Sequence, residues 1–268
     1  MLYNTRMKKN LILGTAWGYN LPKIASFVKS WKKYCADAHL ILVVEPSTPR
    51  SKYDWLVEQG VDVRFFTAGQ HLTTPIHNTR FYKYLDILLE EINVYDRVFL
   101  TDVRDVVFQG DIFSEVTEPG LHCFLEDGRT TCTEGFNRGI ITHNFGEKVW
   151  EEFKDLPIIC SGTTLGSIAN VVQYISAMID NRDPEKLTNT PDDQAVHIYI
   201  LHKNLLPNTK HENCDGVATM ALVPMPEILT LPDGRISVCG KTPAVLHQYD
   251  RFGFLVDHFK QLYLRGVY

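Results

Sequence analysis

The chain has 268 residues, of which 44% are hydrophobic and 22% are charged, so it is long enough to bury one sizeable core. Its formal net charge of −5 argues against a general nucleic-acid-binding protein. Six cysteines occur without Cys-x-x-Cys spacing, which argues against a zinc ribbon and favours reduced thiols. No apolar run approaches the roughly 20 residues that span a bilayer, and no signal-peptide segment is seen. We therefore expect a cytoplasmic protein, or one whose anchor has been removed.

The N-terminal part alternates between apolar strands and helices. Strands are predicted at 11–15, 39–44 and 61–66, with helices from Pro22 and over Ser51–Gln59 between them. Strand–helix–strand–helix–strand is typical of a parallel sheet with helices on both faces, so the sequence predicts an α/β fold.

Two segments before the central strand carry side chains suited to a ligand. The loop after the first strand contains Trp17 and Tyr19, which either stack on a bound ring or pack beneath the loop. A helix predicted over Ile76–Asn93 places Arg80 and Lys83 on one side. That side is either a solvated basic face or a site for an anion. Arg80 is the better candidate, because a guanidinium can hold a phosphate or carboxylate through two bonds.

The segment from Val98 to Gln109 is the centre of the prediction. It reads as a buried strand that Asp102, Arg104 and Asp105 interrupt. Charges in a buried stretch are costly unless they are paired or bind a metal. The two acids are three residues apart, so the chain must turn between them if both serve one site. An Asp–Arg ion pair in a turn at the end of the strand is the alternative.

This segment, Leu-Thr-Asp-Val-Arg-Asp-Val-Val-Phe-Gln, resembles the metal-binding DxD region of nucleotide-sugar-dependent glycosyltransferases with the GT-A fold. It departs from them in its Asp-x-x-Asp spacing. The resemblance implies that the acids meet the ribose and a divalent metal, with Asp105 as the first metal ligand and Asp102 as the second. It also implies that Trp17 or Tyr19 holds the nucleotide base and that the basic helix faces the donor.

The second half of the chain adds further matches. After a strand at 121–126, the polar residues 127–137 are predicted to be a loop, followed by a helix at 147–154. Small residues around Ser161 and Gly162 suggest a close backbone approach to a ligand between a strand and a helix. This region resembles the Asn-Ser-Gly segment of glycogenin-like transferases, which lies beside the donor sugar.

A helix that opens at Pro191 begins with acids, which either stabilise its first turn or act on the substrate. Asp193 and Gln194 resemble the Asp-Gln pair of glycogenin-like enzymes, and the resemblance gives them a catalytic role. His247 follows an apolar strand in the loop-rich C-terminal part, where a lone histidine is more often structural. The resemblance makes it the last metal ligand, and an imidazole suits Mn²⁺ better than Mg²⁺.

Together these matches predict one domain over residues 1–268, with a nucleotide-binding half at about 8–115 and an acceptor and catalytic half at about 116–268. The expected fold is a single GT-A (Rossmann-like) domain, with a mostly parallel sheet flanked by helices and a small C-terminal β portion. The expected activity is transfer of a sugar from a nucleotide diphosphate sugar, UDP rather than GDP, to a glycan or other hydroxyl acceptor. Mn²⁺ or Mg²⁺ is the expected cofactor.

Two other functions fit the same fold. A nucleotidylyltransferase shares the sheet, but it normally has a Gly-rich basic loop after the first strand, and residues 14–20 lack a basic residue. A non-catalytic nucleotide- or glycan-binding protein also remains open, since fold does not fix function. The sequence leaves open whether the anomeric configuration is inverted, with Asp193 as base, or retained, with Asp193 beside the anomeric carbon.

Overall fold

The structure is a computed structural model that describes residues 9–66, 76–130, 135–183, 192–221 and 223–265. Its strands are Lys9–Thr15 (β1), His39–Val44 (β2), Asp62–Phe65 (β3), Tyr95–Thr101 (β4), Val106–Phe108 (β5), Leu121–Thr130 (β6), Pro157–Ser167 (β7), Thr209–His211 (β8), Val217–Thr219 (β9), Ile228–Thr230 (β10), Ile236–Val238 (β11) and Val245–His247 (β12). Its α-helices are Leu21–Tyr34 (α1), Arg50–Gln59 (α2), Ile76–Glu90 (α3), Ile112–Glu115 (α4), Gly135–Phe145 (α5), Glu147–Phe153 (α6), Ile168–Asp180 (α7), Asp192–His202 (α8) and Gly253–Tyr263 (α9).

Within the described residues, the central sheet has seven strands in the order β3–β2–β1–β4–β7–β6–β8. β1 is parallel to β2 and β4, whereas β7 is antiparallel to both β4 and β6. The predicted α/β class with a mostly parallel central sheet is therefore confirmed. Because β1 and β4 are parallel neighbours, the segments that follow them emerge at the same edge, where open α/β sheets bind ligands.

The strands of this sheet are apolar on both faces because helices cover both. Ile12 and Leu42 face a layer that includes α1 and α2, whereas Leu11 and Leu13 face a layer built by α3, α7 and α8. This arrangement explains the continuous apolar runs of β1 and β2, since strands buried on both faces lose the polar alternation. In the described part of the chain, no helix is both long and apolar enough to span a membrane.

A small three-stranded sheet brings the C-terminal part back to the acidic segment. β12 pairs antiparallel with β5 and parallel with β9, and His247 lies opposite Val106 in this register. Val106 directly follows Asp105 in the chain, so the pairing places His247 beside the acids. One face of this sheet, with Val107, Ala218 and Leu246, packs on α9, where Phe259 is buried.

Two predicted segments differ from the structure. The residues predicted as a loop at 127–137 are divided between the end of β6 and the start of α5, while 131–134 lie outside the described residues. A shift in the pairing of β6 with β7 after Leu125 explains why no regular strand pattern is visible there. The small residues around Gly162 lie within the long strand β7 rather than between a strand and a helix, because β7 continues to Ser167 between β4 and β6.

Candidate active site

A cavity of about 790 Å³ lies at the edge of the sheet where β1 and β4 end, and its size is typical of a small-molecule site. Most of the predicted site residues line it, namely Trp17, Tyr19, Arg80, Asp102, Asp105, Ser161, Asp193 and Gln194. Gly162 and His247 lie directly beneath it, in contact distance of Asp102. Lys83 is half-buried on α3 and is not part of the lining.

Asp102, Asp105 and His247 form one cluster whose ligand atoms all lie within 4.8 Å of one another. His247 Nε2 is 3.5 Å from Asp102 Oδ2 and 3.9 Å from Asp105 Oδ1. The chain turns over residues 103–105, as the Asp-x-x-Asp spacing requires if both acids are to face one point. This arrangement brings together side chains that are separated by more than half of the sequence.

Glycine at position 162 is required by the cluster. A Cβ atom built on Gly162 would lie 2.3 Å from Cε1 of His247 and 2.7 Å from Oδ2 of Asp102. The backbone there also helps to fix the site, since the carbonyl of Gly162 accepts a 2.8 Å hydrogen bond from the amide of Asp102. The sequence prediction of a close approach at Gly162 thus corresponds to an approach of side chains on the acidic cluster.

Cys160 holds the other side of the imidazole ring. Its Sγ lies 3.3 Å from Nδ1 of His247, and both residues are almost completely buried. With Nδ1 facing the thiol, Nε2 is the ring nitrogen that points toward the acids. Nε2 is buried and has no hydrogen-bond partner within the part of the chain that the structure describes.

The charges in the cluster affect one another strongly. Burial alone would raise the pKa of Asp102, but Arg80 and His247 hold it well below its usual range. Burial is the main reason that the pKa of Asp105 is raised. Burial would lower the pKa of His247, yet Cys160 and the two acids raise it above the ordinary value.

These residues fit a divalent cation. Two carboxylates and an imidazole nitrogen converge on one point, and the unsatisfied Nε2 of His247 is a donor atom available to a metal. Oxygen ligands are those that Mg²⁺ and Mn²⁺ prefer, and the added imidazole favours Mn²⁺. The geometry therefore supports a metal site at the residues that the resemblance implied.

Arg80 is enclosed by acidic partners. Its Nη1 donates to Asp102 Oδ1 at 2.5 Å and its Nη2 donates to Asp193 Oδ2 at 2.8 Å, while its side chain is 12% exposed. Both ends of the guanidinium are thus already used within the protein. The structure separates Arg80 from Lys83, which the sequence had placed on the same basic side, because only Arg80 reaches the cavity.

The first turn of α8 forms hydrogen bonds with both β7 and α3. Gln194 Nε2 donates to the carbonyl of Ile159, and its Oε1 accepts from the amide of Ser161, both at 2.9 Å. Asp193 Oδ1 accepts a 3.0 Å bond from the amide of Gln194, while its Oδ2 faces Arg80. These hydrogen bonds indicate that Gln194 positions the strand beside the cavity. The catalytic role given to Gln194 rests on the resemblance alone.

The aromatic loop after β1 is held in place from below. Buried Lys52 donates to the carbonyl of Ala16 at 2.7 Å and forms an ion pair with Glu45 at 3.4 Å. Trp17 packs edge-to-face on Phe66 with ring centroids 5.1 Å apart. One side of the Trp17 ring is thus buttressed while the residue still lines the cavity.

The structure adds cavity residues that the sequence reading missed. Arg104 lies 3.1 Å from both Asp105 and Asp250, and its side chain is 43% exposed. Arg251 is 57% exposed and its nearest acid is 4.0 Å away, at Asp250. Gln248 follows His247 with a left-handed φ of 59°, a conformation that a non-glycine residue seldom adopts. Their closeness in sequence to Asp105 and His247 was the one signal that could have identified them.

Comparison with known proteins identifies the fold and nothing narrower. No protein-family model matches the chain, and no curated protein matches its sequence. Among solved structures, the chain is similar to the galactosyltransferase LgtC, crystallised in complex with donor and acceptor sugar analogs. The TM-score is 0.57 with 15% sequence identity, over 94% of each chain. The chain therefore has the GT-A fold that its acidic motif had suggested.

Proposed function

We propose that this protein is a metal-dependent glycosyltransferase that uses a nucleotide diphosphate sugar, with UDP preferred to GDP. The observation that carries the proposal is the Asp102–Asp105–His247 cluster, which converges beneath a cavity at the ligand-binding edge of a GT-A fold. The buried Nε2 of His247 lies within 4 Å of both carboxylates without a hydrogen bond to either, and a cation shared by the three side chains would satisfy it. Gly162 supports the same conclusion, since the side chain of any larger residue there would collide with His247 and Asp102.

The order of the strands suggests where each part of the donor lies. Trp17 and Tyr19 follow β1 and can contact the base, while Asp102 and Asp105 follow the neighbouring strand β4 and are suited to the ribose and diphosphate. Ser161 lies on the next strand, β7, where the transferred sugar would be placed. The donor would thus cross the edge of the sheet from β1 toward β7.

Breaking the bond between sugar and phosphate leaves negative charge on the nucleoside diphosphate. A divalent ion held by Asp102, Asp105 and His247 would neutralise part of that charge. We assign the remaining cationic role to Arg104 and Arg251 rather than to Arg80. Both line the cavity and are 43% and 57% exposed, and Arg104 meets its two acids through Nη2 alone. Arg80 is only 12% exposed, and acids occupy both ends of its guanidinium.

Arg80 in this proposal is a positioning residue. By joining Asp102 to Asp193 it fixes the metal-binding acid relative to the acid nearest the transferred sugar. Asp193 then has one of two roles, set by stereochemistry. With inversion, Asp193 takes the proton of the attacking hydroxyl, and with retention it lies beside the anomeric carbon.

Calorimetry of nucleotide binding tests the metal site. We expect UDP to bind in the presence of Mn²⁺ and to lose most of its affinity when EDTA removes the metal. The Asp105→Ala and His247→Ala variants should show the same loss of UDP affinity with Mn²⁺ present. Asp257→Ala and His143→Ala change exposed residues outside the cavity and serve as matched controls. Equal UDP binding with Mn²⁺ and with EDTA would refute the proposed metal dependence.

A second measurement separates an enzyme from a binding protein. Incubation with UDP- and GDP-sugars and Mn²⁺, without acceptor, is expected to release nucleoside diphosphate slowly through transfer to water. Trp17 should change its fluorescence when the nucleotide binds, because the ring lines the cavity. Tight nucleotide binding without hydrolysis or transfer for any sugar nucleotide would favour a non-catalytic binding protein.

A further inference from the structure

Two turns of the C-terminal part meet at a pair of cysteines. Cys214 lies in the turn between β8 and β9, and Cys239 follows β11. Both are free thiols, and their side chains are in hydrogen-bond contact with each other. An ion pair between Lys241 and Asp215 joins the same two turns. Neither cysteine is among the described residues that line the cavity, so the pair is separate from the proposed donor site.

Both cysteines have a backbone conformation that suits glycine better. Val238 and Lys241 exchange two backbone hydrogen bonds, of 2.7 and 3.0 Å, across a two-residue turn. The turn residues Cys239 and Gly240 have φ angles of 50° and 77°. Positive φ at both positions is typical of a type I′ turn, whose first central residue is usually Asn, Asp or Gly.

The turn at Cys214 has the same property. Cys214 has a φ of 75°, and its amide donates a 2.8 Å hydrogen bond to the carbonyl of Val217. A left-handed conformation costs a non-glycine residue free energy, so neither turn by itself favours a cysteine. Strained residues of this kind tend to occur where a side chain has a function. The feature that Cys214 and Cys239 share is the contact between their thiols.

The two thiols differ in their access to solvent. Cys239 is exposed, whereas Cys214 is only 5% exposed. The Cys239 thiol donates a 2.8 Å hydrogen bond to Oε2 of Glu227, which raises the pKa of this thiol. Burial raises the pKa of Cys214 to about 12. A dissolved oxidant therefore meets Cys239 first, and the reaction is slow at neutral pH because the thiolate is the reacting form.

A bond between the two sulfurs would restrain the sheet that holds His247. It would close the loop from 214 to 239, which contains β9, β10 and β11. β9 pairs with β12, the strand that ends at His247. The amide of Val245, on β12, also donates a 3.0 Å hydrogen bond to the carbonyl of Gly216, beside the Cys214 turn.

We propose that Cys214 and Cys239 form an intramolecular disulfide under oxidising conditions, and that this bond stabilises the small C-terminal sheet. Glutathione disulfide is a sufficient oxidant. The Cys239 thiolate first attacks one sulfur of glutathione disulfide, whose S–S bond breaks, and one glutathione leaves with the proton that Cys239 lost. The Cys214 thiolate then attacks the Cys239 sulfur of the mixed disulfide, and the second glutathione leaves with the proton of Cys214. The two cysteines lose two electrons, which reduce glutathione disulfide to two glutathione molecules. Where glutathione keeps thiols reduced, the pair stays open.

Peptide mapping under non-reducing conditions tests the bond in the full chain. The protein is incubated with glutathione disulfide at about pH 8.5, where more thiolate forms, and its remaining thiols are then alkylated. We expect a peptide in which Cys214 is linked to Cys239, in a protein that stays monomeric on a non-reducing gel. The melting temperature should rise by about 5–10 °C relative to the reduced protein. Dithiothreitol should reverse both changes.

Two variants separate this bond from other effects of oxidation. Cys239→Ser changes an exposed residue and should show neither the linked peptide nor the rise in melting temperature. Cys123→Ala changes a buried cysteine on β6, leaves the pair intact and should show both.

Three results would overturn the proposal. One is glutathione retained on Cys239 beside a free Cys214, because the second step would then not occur. Another is a disulfide that joins Cys239 residues of two chains. The third is a bond between Cys214 and Cys239 that leaves the melting temperature unchanged. These readouts compare the reduced and oxidised wild-type protein and need no nucleotide, so none of them bears on the proposed function.

Discussion

Replacing Gly162 by alanine should damage the metal site more than the fold. The added Cβ would lie 2.3 Å from Cε1 of His247 and 2.8 Å from its Nε2. Carbon atoms pack at about 3.5–4.0 Å, so the ring or the strand must move by roughly 1.2 Å. Metal–ligand distances hold to within about 0.2 Å, which makes such a movement large for a coordinating nitrogen.

We expect Gly162→Ala to lower Mn²⁺ affinity by on the order of 10- to 100-fold, the loss seen when the supports of metal ligands are removed. The overlap should also destabilise the fold by about 1–3 kcal/mol, as overpacking does. Calorimetric titration with Mn²⁺ measures the first effect, and thermal unfolding in EDTA measures the second. Comparing the two separates damage to the site from general loss of stability.

Gly139→Ala is the matched control. Gly139 lies within helix α5, and a Cβ built on it meets no atom within 4 Å. Alanine there should leave Mn²⁺ affinity unchanged and stabilise the helix by up to about 1 kcal/mol. A Gly162→Ala protein with wild-type Mn²⁺ affinity would refute the reasoning, because the crowded cluster would then not be the metal site.

Three further predictions follow from buried side chains. Cys160→Ala should lower Mn²⁺ affinity about tenfold, because it removes the partner of the His247 imidazole. Cys123→Ala changes an equally buried cysteine on β6 and should leave the affinity unchanged. Calorimetric titration of both variants with Mn²⁺ measures the difference. Asp193→Asn should lower the transfer rate roughly a hundredfold or more, and it should also lower stability because it breaks the ion pair with Arg80. Asp192→Asn should lower stability alone. Near wild-type turnover of Asp193→Asn would show that Asp193 takes no part in the chemistry. Burial lowers the pKa of His202 from 6.5 to about 4, so its folded form resists protonation and stability, full above pH 6.5, falls as the pH drops toward 4. This loss reaches at most about 2 kcal/mol at pH 5, and a His202→Gln protein whose unfolding free energy fell as steeply with pH as that of the wild type would contradict it.

The sequence alone predicted the parts of the molecule that depend on local pattern. Apolar runs and helical spacing identified the first three strands, the first helices and the α/β class, because periodicity is set by residues near one another in the chain. The residues of the acidic motif, Gly162 and His247 were also identifiable, through their order along the chain and their resemblance to GT-A enzymes. The loop prediction was wrong for 127–130 and 135–137, because the strand and the helix there depend on pairing with β7 and packing on α8, which local composition does not encode.

Tertiary structure alone decided what these side chains do to one another. The pairing of β12 with β5 carried His247 to Asp105, and β7 brought Gly162 and Cys160 against the same imidazole. Side chains predicted to share a basic face were separated, since two acids distant in sequence enclose Arg80 while Lys83 stays outside the cavity. Such partnerships are contacts between distant segments, and their strength depends on the burial and distances that only the folded chain creates.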